Sequence, residues 1–132
     1  MDKNNIISVF NTQISSFIND LILVYPNDND LYTFKTSMKM LLLVDEKKVI
    51  SMFKEFVYSK YKVQIEKRDS DFFLQNNYDD IVAQTKTDTP EITAQLINKI
   101  KSYWISMSNE NKEVVWKYFT VLIKLCEKLE SI

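Results

Sequence analysis

The chain runs for 132 residues without a single glycine. Glycine is the residue that enters positive φ without steric cost, and two-residue hairpin turns depend on it. Phosphate-cradling loops and dinucleotide fingerprints depend on it as well. A glycine-free chain of this length is therefore directed away from strand-rich folds and from most nucleotide-binding motifs. What remains is helices joined by turns of Pro, Asn, Asp and Ser.

The apolar pattern agrees. Ile6, Ile7, Phe10, Ile14, Phe17, Ile18, Leu21 and Ile22 recur at three- and four-residue steps, which predicts a helix over 5–25 with Asn4 or Asn5 as its cap. Pro26 ends it, and Asn27-Asp28-Asn29-Asp30 supplies capping candidates for a second helix over 29–44. Leu41-Leu42-Leu43-Val44 is apolar all round, so that end is expected to be buried on more than one side. Asp45 is the expected cap of a third helix over 46–61, with fraying helix through Lys62–Glu66 in place of a short strand. Asp69 or Ser70 caps one helical turn carrying Phe72 and Phe73. Residues 78–89 are polar and aperiodic, the pattern of a loop or a short exposed helix.

Pro90 then sits in the first turn of a fourth long helix, capped by Asp88 or Thr89. Ile92, Leu96, Ile97, Ile100, Tyr103, Trp104 and Met107 form its face. Ser108 caps the last helix, where Val115, Tyr118, Phe119, Leu122, Leu125, Cys126 and Leu129 form the stripe and Glu113 and Lys117 are spaced for an outward pair. The expected fold is all-α: one domain over 1–132, a bundle of about five main helices with a C-terminal helical hairpin.

Composition narrows the chemistry. Histidine is absent, which removes the commonest general base, the commonest metal ligand and any His-activated nucleophile. No catalytic, cofactor-binding or metal-ligating set is expected. The carboxylate pairs Asp28/Asp30 and Asp79/Asp80 lack the glycine and closing glutamate of a calcium loop. Cys126 falls on an apolar face and suits a reducing compartment. No apolar run is long enough to span a bilayer, and Met1–Asn5 lacks the pattern of a secretion signal, so neither membrane insertion nor export is expected.

Two surfaces are candidates for binding. Lys54, Lys60, Lys62, Lys67 and Arg68 cluster with Tyr58 and Tyr61, a mixture of cations and aromatics that can hold single-stranded nucleic acid. Glu55, Glu66, Asp69 and Asp71 share the segment and largely cancel its field, and the net charge of the chain is −1, so nucleic acid is not the favoured partner. Trp116 lies off the main stripe of the last helix. Exposed, it would anchor a protein interface with Lys112 and Tyr78; covered by another helix or by the 78–89 loop, it would belong to the core.

The string Tyr103-Trp104, Met107-Ser108, Glu110-Asn111-Lys112-Glu113, Trp116-Lys117-Tyr118-Phe119 resembles small helical proteins of large double-stranded DNA viruses, of phycodnavirus and mimivirus type. Phe10 to Asp28, and Asp71-Phe72-Phe73-Leu74 followed by Tyr78, are similar too. The matching positions are mostly core and turn positions. The resemblance therefore implies a shared fold and brings no catalytic residues. By analogy it implies a non-enzymatic viral protein acting through protein–protein contacts, a minor virion component or an assembly factor. Its partners would be other viral structural proteins or itself, in the virion or the infected-cell cytoplasm. The alternatives are a nucleic-acid-associated factor using the Lys54–Arg68 face, or a host-interaction bundle with a peptide-binding groove between its first and last helices.

Overall fold

A computed structural model describes residues 2–74 and 92–131. The described residues form six helices and no strand: α1 (Lys3–Val24), α2 (Asn29–Val44), α3, α4 (Asp71–Leu74), α5 (Ile92–Trp104) and α6 (Asn109–Glu130). Helix α3 is continuous but mixed. It runs Lys48–Phe53, passes through a π-helical segment Lys54–Tyr58, and resumes as Ser59–Glu66. The fold class is all-α. Tyr78 and the expected cap and first turn at 88–90 lie outside the described residues.

The two long helices, α1 and α6, pack along each other and carry the core between them. Helix α1 buries Ile6, Ile7, Phe10, Ile14, Phe17, Ile18 and Leu21, the face its periodicity predicts. It is long and apolar enough to cross a membrane by length and composition, which the sequence reading did not anticipate. A core helix meets the same test, and this one turns its apolar face into the protein. Its cap is Asp2, two or three residues earlier than expected: the Asp2 carboxylate accepts from the Asn5 amide at 2.8 Å.

An aromatic cluster fills the centre. Phe53, Phe72, Phe73, Phe119 and Trp104 are fully buried, and their rings meet at 4.4–6.1 Å, mostly edge to face. Helix α4 is a single turn, held by the Asp69 carboxylate accepting from the Asp71 amide at 3.0 Å. It inserts both of its phenylalanines into this cluster.

Where α3 ends, a glycine-free chain has to find another C-cap. Arg68 adopts φ 53°, in the left-handed region. The Arg68 amide donates to the Ile65 carbonyl at 3.0 Å and the Asp69 amide to the Gln64 carbonyl at 2.9 Å. That is the Schellman pattern, which glycine usually completes. The third helix also starts later than expected. The Asp45 carboxylate accepts from the Lys47 amide, closing a short turn, and the helix begins at Lys48. Ser108 caps α6 by accepting from the Asn111 amide at 3.2 Å.

Candidate interaction surface

Helix α2 is the outer member of the bundle. It packs on α1, α3 and α5, and only Leu31 and Met38 are fully buried. Phe34, Leu41 and Leu42 are partly covered against the core. The rest of the helix faces outward. Tyr32, Thr33, Thr36, Ser37, Met40, Leu43 and Val44 are exposed and uncharged, and Lys35 and Lys39 are exposed on the side towards α1. Met40 is 63 % exposed, Leu43 80 % and Val44 86 %. The expectation that the Leu41–Val44 end is buried on several sides is therefore corrected: no described element covers its outer side. Burying such a side chain gains roughly 1.5–3 kcal/mol, and here that gain is left for a contact outside the described fold.

Along the α1 edge of this surface runs a groove of about 270 Å³. Ile18, Met38, Leu42 and Leu43 line it, with Ser15 and Asn19 from α1 and with Lys35 and Lys39. By contrast, the cleft between α1 and α6 is about 30 Å³ and takes no more than a single small group. Among the described residues the first and last helices pack together and leave only this small cleft between them. The open groove lies between the first and second.

A second cluster ties the α1–α2 turn to α5. Tyr103 stacks on Tyr25 with ring centroids 3.7 Å apart and planes 7° from parallel. The Tyr103 hydroxyl donates to Asp28. The Lys99 ammonium lies 3.2 Å from Asp28 and 2.7 Å from Asp30. The hydrogen bond from Tyr103, joined by Lys99, holds Asp28 below the usual carboxylate range despite burial. Hydrogen bonds to Asp30 and Asp28 raise Lys99 against the opposing effect of burial. The lysine occupies the place a cation would take between these carboxylates, and the cluster is a clamp on the turn. Among the described residues no group of three or more His, Cys, Asp and Glu side chains is placed to hold a metal ion.

The basic segment is brought together and then neutralised. Lys54 pairs with Glu130 at 3.3 Å, and Lys62 pairs with Glu127 at 3.5 Å and Glu66 at 4.0 Å. Arg68 donates to both carboxylate oxygens of Glu113. Glu113 thus reaches across to α3 in place of its expected partner Lys117. Helix α6 supplies Glu113, Glu127 and Glu130, a contribution that local sequence could not reveal. Tyr58 is buried, and its hydroxyl donates to Glu130 at 3.1 Å. It offers no ring for a base to stack on. Lys60 and Lys67 are exposed, and no ion pair holds either of them among the described residues.

Trp116 is 5 % exposed. Its ring packs on Trp104 and Phe73 at 5.4 and 5.2 Å. It is covered by its own hairpin and by α4, so its reading as an exposed interface anchor is corrected. Lys112 is half-buried with its ammonium 5.3 Å from the Trp104 ring centre, a cation–π contact that caps the hairpin. Burial raises the Cys126 thiol to about 12, which keeps it protonated and unreactive. No protein-family model matches this chain, and neither the curated proteins nor the solved structures hold a match.

Proposed function

We propose that this protein is a non-enzymatic viral protein that works by protein–protein contact, as a minor virion component or an assembly factor. The outward face of α2 is its contact surface. The carrying observation is the apolar outer end of α2, where Met40, Leu43 and Val44 are exposed together. Contiguous exposed apolar side chains on an otherwise well-packed domain mark interaction sites. The viral setting rests on the resemblance of the hairpin and the upstream aromatic segments.

Purification of infected-cell lysate and of particles tests it. The wild-type chain should be recovered with structural proteins, and the Met40→Ser, Leu43→Ser double variant should lose them while keeping its helical content. Recovery of the same proteins with both chains would refute the assignment of the surface. Recovery with nucleic acid that is lost on adding salt would refute the function.

A further inference from the structure

We propose that the groove between α1 and α2 docks an amphipathic helix of a partner protein. The partner's aliphatic ridge lies in the groove, and two of its carboxylates, one turn apart, meet Lys35 and Lys39. This rests on the reading of α2 as the contact surface and names what that surface binds.

Three features favour such an occupant. Ile18, Met38, Leu42 and Leu43 make the groove apolar and concave, the shape that receives the apolar stripe of a helix. Leu43 in the groove wall is 80 % exposed, and Met40, one turn before it on α2, is 63 % exposed. Exposed apolar surface thus adjoins the groove wall at Leu43, which fits an elongated ligand better than a small molecule. The third feature is charge. Lys35 and Lys39 stand one helical turn apart on the rim, both are exposed, and no carboxylate is among the lining residues. Lys54, Lys62, Arg68 and Lys99 each have a carboxylate at hand. Lys35 and Lys39 pair with none among the described residues. Two adjacent cations thus stand beside an apolar groove that has no carboxylate in its lining, and complementary charge sets orientation and rejects wrong partners.

Other occupants fit less well. A second copy presenting its own α2 brings two more lysines, and the acidic residue of that helix, Asp30, is held by Lys99. A flat anionic membrane meets the lysines but leaves the concave groove unfilled.

The test uses the full chain and two synthetic amphipathic peptides of about 18 residues. They share a leucine ridge at i, i+3, i+4 and i+7. One carries Glu at the two flanking i,i+4 positions and the other carries Lys. The Glu peptide should bind at least about 10-fold more tightly than its Lys twin. Its amide shifts should map to Ser15, Ile18, Met38 and Leu43. The double variant Lys35→Glu, Lys39→Glu should reverse the preference, with its circular dichroism melt reporting that it stays folded.

Equal binding of the two peptides, or a preference that survives the charge reversal, would overturn the proposal. So would binding to phosphatidylserine vesicles in place of the Glu peptide, or a concentration-dependent dimer that Leu43→Ser abolishes. Failure of both peptides, with the α2 surface variant still losing its co-purifying proteins, would overturn the helix-docking proposal and leave the contact surface standing. Failure of both peptides together with unchanged co-purification would remove both.

Discussion

The Trp104 and Trp116 rings meet edge to face across the α5–α6 turn, with centroids 5.4 Å apart and planes at 80°. Phe73 lies against both, at 4.4 Å from Trp104 and 5.2 Å from Trp116. Three aromatic rings from three helices thus lock the C-terminal hairpin to the single-turn helix α4. The role of Trp116 is to hold the bundle together.

Truncating it should therefore cost stability. Trp116→Ala removes a buried indole and leaves a cavity among close-packed rings, a change that costs about 3–5 kcal/mol. Domains of this size hold about 5–15 kcal/mol in total, so the shift in urea midpoint will be large. Trp116→Phe should recover part of it. A Trp116→Ala midpoint equal to wild type would contradict the packing described.

Arg68 provides a test of the glycine-free backbone. Its left-handed conformation costs roughly 1 kcal/mol or more for a residue with a Cβ. Arg68→Gly relieves that cost and gives up an exposed pair with Glu113 worth about 0.2–1 kcal/mol. The expected outcome in chemical denaturation is unchanged or slightly raised stability. Glu113→Ala, which removes the pair and keeps the strain, should be slightly destabilising. Marked destabilisation by Arg68→Gly would contradict the account of the cap.

Alkaline pH should unfold the protein partly through Tyr118. Burial, then its hydrogen bond to Asp20, raises this phenol from 10.0 to about 12. A folded-state pKa above the unfolded one gives stability that is complete below pH 10.0 and is lost as pH rises through about 12. Cys126 acts in the same direction from 9.0. Tyr118→Phe should reduce the fall in urea midpoint between pH 10.0 and about 12, leaving the shares of Cys126 and of Tyr25, Tyr58 and Tyr103, which are also raised. An equally steep fall in the variant would contradict the assignment.

The acid limb should report Asp28. Its pKa is lowered from 3.8 by the Tyr103 hydrogen bond and Lys99. Its stabilising share is present above pH 3.8 and is lost as pH falls through the lower folded value. Tyr103→Phe should reduce that acid-limb slope while retaining the ring stacked on Tyr25. A slope identical to wild type in low-pH denaturation would contradict the clamp.

Most of the fold was legible from local pattern, and the partners of its side chains were not. The stripes of α1 and α6 were readable because one face of each meets the core throughout its length. The cap of α6 at Ser108 was readable because it is a contact within one turn. The π-helical segment Lys54–Tyr58 was not: an inserted residue in a helix leaves no periodic trace when Phe53, Phe56, Val57 and Tyr58 are apolar or aromatic in a near-continuous run. Trp116 stayed open between an exposed anchor and a core residue covered by another helix, because its position off the stripe says nothing of α4, which covers it from a different part of the chain. The same holds for Glu113, Glu127 and Glu130, which neutralise a basic segment some 45 to 76 residues earlier in the numbering. The Leu41–Val44 end of α2 was misjudged for a related reason. A helix end that is apolar all round is ordinarily surrounded by its own protein, and here the described elements cover one side only.

On the proposed reading, another protein sits on this outer surface. A photo-crosslinking residue in place of Met40, activated in the particles or cells in which the protein occurs, tests it most directly, with the same residue in place of Lys60 as the control. The account predicts a defined protein adduct from position 40 that position 60 does not give, and its loss when Leu43→Ser is added. The same adducts from both positions, or none from position 40, would contradict it.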